Sequence, residues 1–227
     1  RIHAKDGQLK WIADSAIELF DESGKSYGSI GIMQDITERK RIEANLRQRE
    51  AGLEAITFAA EQFLKAPDWR ANIDKVLERL GRTIDATHAY LFEHHMGSDS
   101  VEISSLTYEW TAPGFPSDLG NPAYQNIKSL EDELDSANER LRMGEAFVGN
   151  SSTYPEAERE RLNALGLKAI VELPLFINGE WWGTIGFDDL VREREWSSAE
   201  VDALKIAAGV LGAAIERQKA ESAVRES

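Results

Sequence analysis

The sequence predicts an α+β protein made of antiparallel hairpins and long amphipathic helices. Two observations carry that prediction. Leu173-Pro174-Leu175 runs through Asn178-Gly179 into Trp181 to Asp188. Asn-Gly supplies the positive φ angles of a tight hairpin turn, and apolar, β-branched and aromatic residues flank it. A long amphipathic run, Ser197 to Arg217, follows almost at once, so a hairpin feeds a helix.

Leu9 to Phe20 and Tyr27 to Ile36 read as strands joined by the turn Asp21 to Ser26, whose Gly24 can take a left-handed conformation. A lone hairpin is barely stable in water, so something must cover it. Asp35-Ile36-Thr37-Glu38-Arg39-Lys40 then switches to helix, with Asp35 or Thr37 as cap and Glu38 at the positive end. From Glu38 to Ala66, the residues Ile42, Leu46, Arg49, Leu53, Ile56, Ala60 and Phe63 follow the three-four spacing of a coiled-coil seam. After Gly52 this helix is also expected to pack on its own domain. Pro67 ends it.

Trp69 to Ile84 reads as a second amphipathic helix, apolar at Ile73, Val76, Leu77, Leu80 and Ile84. Ala89 to His95 and Val101 to Thr111 form another hairpin. Ala112 to Asn150 is the least regular stretch: a Pro/Gly loop, a charged and mostly helical segment from Ser129 to Met143, and a short strand at Phe147-Val148. Pro155 to Leu165 reads as a helix with Gly166 as its cap. Lys168 to Phe176 and Trp181 to Asp188 complete the hairpin of the opening argument. Ser197-Ser198-Ala199-Glu200 is a capping-box start for the last helix, whose Val201, Leu204, Ala208, Leu211 and Ile215 keep a seam spacing.

A chain of 227 residues with 42% apolar content can bury a real core. A net charge of −14 argues against a nucleic-acid partner and against an anionic membrane surface. The longest apolar run, Ile206 to Ile215, is too short to span a bilayer. With no cysteine there is no disulfide, no thiolate nucleophile and no Cys-ligated metal, which fits a cytoplasmic protein. Arg1-Ile2-His3 reads as the interior of a longer chain.

Two family resemblances follow from particular residues. The strand ending in Asp35-Ile36-Thr37, followed by Glu38-Arg39-Lys40 and a coiled-coil linker, resembles the C-terminal end of a PAS domain. A whole PAS domain is roughly 100 residues, so only its last strands would be present. Glu109-Trp110, Gly166-Leu167-Lys168, Pro174-Leu175, Gly179 with Gly183, Gly186-Phe187-Asp188 and Trp196, in that order, resemble the GAF domain of a bacterial sensor histidine kinase or cyclase. The resemblance implies a GAF-like antiparallel sheet with helices on both faces. It divides the chain into an incomplete PAS end (1–37), a linker helix (38–66), a GAF domain (51–220) and a C-terminal signalling helix (197–227).

The GAF resemblance also implies a cavity between the sheet and the variable-region helices. Strand alternation sorts the side chains that could face it. Trp181, Ile185 and Phe187 share one face, and Trp182, Thr184 and Asp188 the other; Val171, Leu173 and Leu175 oppose Ile170 and Glu172. The more apolar faces should pack on the terminal helices and the mixed faces should look into the pocket. Glu172, among apolar neighbours, is either an anchor for a basic or hydroxyl-bearing ligand or a carboxylate paired with arginine or open to water. Tyr108 and Trp110 share a face that either stacks on a ligand or packs in the core. Phe115 and Tyr154 are placed to close the cavity. The candidate ligand-binding set is therefore Tyr108, Trp110, Phe115, Tyr154, Glu172, Trp182, Thr184 and Asp188.

Cofactor expectations are mostly negative. A covalent bilin needs a cysteine, and the Asn-Lys-x-Phe-Asp-Glu type motif of cyclic-nucleotide GAF domains is absent. His88, His94 and His95 are expected at the surface rather than as haem ligands. Asp188-Asp189 reads as a solvated strand end rather than a metal site. No phosphate loop, paired-His metal motif or nucleophile elbow is present, so this stretch is expected not to be an enzyme. Two functions stay open: a sensor that binds a small molecule and relays the change through dimeric helices to a kinase or cyclase, or a ligand-free dimerisation and relay unit. A degenerate sulfoxide reductase would need cysteines.

Overall fold

The computed structural model describes residues 1–3, 7–97, 102–128, 135–154 and 156–226. The chain divides into two compact units, Arg1–Glu50 and Ala51–Ser227.

In the first unit, β1 (Ile2–His3) pairs with β2 (Leu9–Lys10), and β3 (Ile12–Phe20) pairs antiparallel with β4 (Ser26–Asp35). Asp21 Oδ1 accepts from the backbone of Ser23 and Lys25, and Gly24 takes φ +78°, which closes the expected turn. Helix α1 (Thr37–Lys65) starts where Asp35 Oδ1 accepts from Thr37 N at 2.9 Å. Those same Thr37 contacts, with Lys10, hold the Asp35 carboxyl at about 2.

The second unit holds the end of α1, a 3-10 turn at Trp69–Ala71, α2 (Ile73–Thr83), β5 (His88–Met96), β6 (Glu102–Thr111), β7 (Ile127–Lys128), α3 (Asp135–Arg142), β8 (Phe147–Asn150), α4 (Glu156–Ala164), β9 (Ala169–Ile177), β10 (Glu180–Asp189) and α5 (Ser198–Glu226). The six strands form one antiparallel sheet in the order β7-β6-β5-β10-β9-β8. The second amphipathic helix is broken at Asn72, but its predicted face is buried as expected: Ile73, Val76, Leu77, Leu80 and Ile84. The short strand β7 and the 3-10 turn Pro122–Tyr124 lie in the stretch read as irregular. The predicted helix from Ser129 falls partly on 129–134, outside the described residues.

One face of the sheet carries the main core. Val171, Leu173, Leu175, Ile185 and Phe187 pack there against Ala55, Ala59 and Phe63 of α1, the apolar face of α2, and Leu204, Ala208, Leu211 and Ile215 of α5. The regular spacing on α5 therefore serves the domain's own core, whereas Ile42, Leu46 and Leu53 of α1 stay exposed. The other face carries a smaller core of Ala137, Leu141, Phe147, Tyr154, Leu162, Leu167 and Ile170 beneath α3 and α4.

Local chemistry fixes the element ends. At 178–179 the hairpin turn has φ +52° and +83°, as Asn-Gly predicts. Gly166 at φ +74° ends α4, with Leu167 N donating to Leu162 O and Gly166 N to Asn163 O, both at 3.0 Å. The capping box of α5 is reciprocal: Glu200 N donates to Ser197 Oγ at 3.2 Å and Ser197 N to Glu200 Oε2 at 2.7 Å. Arg217 of α5 donates to Phe63 O at 2.7 Å and Ala66 O at 3.0 Å, satisfying carbonyls left over at the end of α1. Among the described residues no helix is long and apolar enough to cross a membrane.

Candidate functional site

Alternation along β5 puts Ala89 and Leu91 in the main core and His88, Tyr90, Phe92 and His94 on the opposite face. Leu106 and Glu109 of β6, Ile170 and Glu172 of β9, and Thr184 and Asp188 of β10 point the same way. Above them, α3, α4 and the 112–128 segment form the facing wall of a half-open cavity through Asp118, Tyr124, Ile127, Leu141 and Leu162. The cavity they line measures about 190 Å³. Drug-sized ligands occupy roughly 300–1,000 Å³, so the occupant this space suits is small.

Its polar centre is one phenol between two acids. The Tyr90 hydroxyl lies 3.1 Å from Asp188 Oδ1 and 3.2 Å from Glu172 Oε1. A phenol has a single proton to donate, so it cannot serve both carboxylates fully. Burial, then the charge of Glu172, pushes the Asp188 carboxyl well above the usual range. Burial and the two acids likewise push the Tyr90 hydroxyl well above its ordinary value. Gly186 makes room for this arrangement, because a Cβ there would collide with the Tyr90 ring.

The remaining polar groups have distinct surroundings. Glu109 Oε2 accepts from Asp118 N at 2.7 Å and Leu119 N at 3.1 Å, pinning the covering loop. His88 sits between Thr87 Oγ1 at 3.1 Å and Pro116 O at 3.3 Å. The His94 ring is 4.2 Å from Trp181 between centroids. Its side chain is 4% exposed, and its Nδ1 has no hydrogen-bond partner. Burial, then Arg142 and His95, lowers the His94 imidazole to about 4. Among the described residues lining the cavity there is no lysine or arginine, and nowhere among them do three His, Cys, Asp or Glu side chains gather as metal ligands.

Glu172, Thr184 and Asp188 thus lie where alternation placed them. Glu172 is half-buried, and Asp188 and Asp189 are buried rather than solvated; Asp189 Oδ1 accepts from Val191 N and Arg192 N. Tyr108 and Trp110 do share a face, but it is the core face. Tyr108 meets Trp69 edge-on at 5.6 Å, and Trp110 fills the space left by Gly81. Trp182 is also displaced. The register shift between Trp181 and Gly183 makes Trp182 the extra residue of a bulge, so it packs on Trp69 in the main core, while Trp181 turns to the cavity side against His94. Phe115 packs edge-on against His88 at 5.7 Å without lining the cavity. Tyr154 stacks on Phe147 in the smaller core. His88 and His94 are not surface residues, unlike His95. Tyr90, Phe92 and His94 were not among the predicted site residues, although the period of two from His88 to His94 marks them as one face.

A curled antiparallel sheet with a cavity beneath variable helices defines a class, and the family comparison agrees with it. The GAF domain model matches residues 68–215, and the chain belongs to the GAF domain family. Among its relatives is the methanogenesis regulatory histidine kinase FilI of Methanothrix harundinacea, 33% identical over 96% of this chain and 24% of that protein. An uncharacterized protein of Azorhizobium caulinodans is 24% identical over 78% of this chain and 25% of its own length. The chain thus spans about a quarter of these relatives. In fold it is similar to the phycoerythrobilin-bound GAF domain of a cyanobacterial phytochrome, with TM-score 0.59 and 20% identity over 76% of this chain and 96% of that one. It is also similar to the biliverdin-bound dark state of JSC1_58120g3, with TM-score 0.57 and 16% identity over 73% and 99%.

Proposed function

We propose that this GAF domain is the sensory module of a multidomain signal-transduction protein, and that its cavity binds a small molecule. The carrying observation is the half-open cavity of about 190 Å³ centred on Tyr90, Glu172 and Asp188. A ligand-free relay would have no use for an acid such as Asp188, buried at the floor of a cavity. A bilin of the kind bound by the structural relatives is far larger than this space, and the chain has no cysteine to attach one. The relationship to a regulatory histidine kinase supports an output domain of that kind outside this segment, which itself acts as a non-enzymatic cytoplasmic sensor. The β3–β4 hairpin is the end of a PAS domain in this reading, a role supported by its exposed Ile17, Ile30 and Ile32.

The relay runs through α1 and α5 in a homodimer. Ile42, Leu46 and Leu53 offer an exposed seam for a second copy. A ligand acts only by favouring one helix arrangement over another. The Ala137→Phe variant fills the cavity and mimics occupancy. Spin labels at Glu61 and Lys219 should then report altered distances across the dimer. Distances identical to the unfilled protein would count against the relay.

A further inference from the structure

We propose that the cavity takes an uncharged small molecule with an apolar body and one hydroxyl, a phenol or an alcohol, and that the hydroxyl is seated where the His94 imidazole meets the Trp181 indole. This rests on the reading of the cavity as a ligand site. Four observations converge on the seat and on the chemical class.

First, two buried ring nitrogens stand there without hydrogen-bond partners, His94 Nδ1 and Trp181 Nε1. The two rings are 4.2 Å apart between centroids. The His94 side chain is 4% exposed and lines the cavity. Glu102 Oε1 lies 3.8 Å from His94 Nδ1, beyond hydrogen-bond reach, and Glu102 Oε2 accepts from Arg142 Nη2 at 3.1 Å. Buried polar atoms in folded proteins nearly always have partners, so two adjacent orphans mark a place for a polar group from outside the chain.

Second, one hydroxyl answers both atoms. An indole N–H only donates, whereas an imidazole nitrogen donates or accepts according to its tautomer. A hydroxyl has a proton to give and lone pairs to accept with, so it serves the pair in either tautomer. An ammonium, which only donates, would leave the indole N–H unmet.

Third, the cavity holds no ready counter-charge. No lysine or arginine lines it among the described residues. Glu109 Oε2 is taken up by Asp118 N and Leu119 N, and Asp118 Oδ1 accepts from Asn121 Nδ2 at 2.9 Å. Tyr90, Glu172 and Asp188 are hydrogen-bonded among themselves. Burial above all favours the uncharged forms of Asp188 and His94. Fourth, the body of the ligand meets an apolar wall that includes Phe92, Leu106, Ile127, Leu141, Leu162 and Ile170. An apolar cavity of roughly 150 Å³ holds a benzene ring, so the space of about 190 Å³ suits one substituted ring.

Isothermal titration of the purified chain tests this with four probes built on one ring: para-cresol, toluene, benzylammonium and benzoate. Para-cresol should bind at least about tenfold more tightly than the other three, the share of one well-seated hydroxyl. His94→Phe keeps a ring beside Trp181 and should bring para-cresol down to the affinity of toluene, with toluene unchanged. Ala137→Phe should abolish the binding of both. Urea midpoints check the fold of each variant. In a proton–nitrogen NMR spectrum, para-cresol should move the Trp181 indole signal, assigned with Trp181→Phe, downfield. If toluene binds as tightly as para-cresol and both are lost in Ala137→Phe, the hydroxyl seat is overturned while the ligand site stands. The seat is equally overturned if His94→Phe leaves para-cresol binding unchanged. Tighter binding of benzylammonium or benzoate overturns the uncharged class. If para-cresol binds Ala137→Phe unchanged, it is held elsewhere, and both the seat and the site reading fail. No heat and no indole shift with any probe also overturns the proposal.

Discussion

Tyr90 and Asp188 face each other across neighbouring strands of the sheet, hydroxyl to carboxylate at 3.1 Å, with both side chains buried. β5 and β10 are paired so that Tyr90 stands opposite Gly186, and that register brings the phenol over a residue with no side chain. The contact is therefore a product of strand register as much as of residue choice.

Removing the hydroxyl should show what it contributes. Tyr90→Phe leaves Asp188 buried without its donor, and a buried group left unsatisfied costs about 1–3 kcal/mol. Urea unfolding at neutral pH should report a loss of that size.

Asp188 also sets a pH dependence. Its folded value is raised, so the native state holds its proton above the pH at which the unfolded chain releases it. Its stabilising contribution is complete below the ordinary carboxylate value and is lost as pH rises through the raised one. Asp188→Asn, which cannot ionise, should gain stability relative to the parent steadily from about pH 4 upward. A stability difference that stays flat with pH would contradict the assignment.

His94 has the opposite sign. It falls from 6.5 to about 4 on folding, so its contribution is present above 6.5 and is lost as pH drops toward 4. His94→Phe keeps a ring beside Trp181 and should flatten the acid limb of the stability profile over that interval.

The glycine opposite Tyr90 is a packing requirement. A Cβ at position 186 would overlap the phenol ring. Gly186→Ala should destabilise by about 1–3 kcal/mol, as overpacked cores do. It should also displace the Tyr90 ring resonances in a two-dimensional aromatic NMR spectrum.

Arg217 offers a separate test of how the end of α1 is held. It caps the carbonyls of Phe63 and Ala66 from α5, while Gln218 Oε1 accepts from Trp69 N at 3.3 Å. Arg217→Ala should speed amide hydrogen exchange in the last turn of α1 and leave β9 and β10 protected.

Much of this was legible in the residues. Asn178-Gly179, the Ser197–Glu200 box and the apolar face from Ile73 to Ile84 each specify local structure through short-range chemistry. Glu172, Thr184 and Asp188 followed from strand alternation. What alternation could not show were its interruptions. One extra residue at Trp182 exchanges the two adjacent tryptophans between the faces, and a bulge between Leu91 and Phe92 in the β5–β6 pairing lets Leu106 and Glu109 both face the cavity. Bulges depend on cross-strand pairing, which a linear pattern does not encode. The core role of Tyr108 and Trp110 likewise depends on Trp69 and Gly81, which are brought near only by folding.

The most direct test of the central claim, that the cavity is a small-molecule site, is native mass spectrometry of the purified chain beside Ala137→Phe. The account predicts a dimer carrying a reproducible small adduct that desorbs under harsher conditions and is missing from the filled variant. An adduct of equal mass and occupancy on both proteins would contradict it.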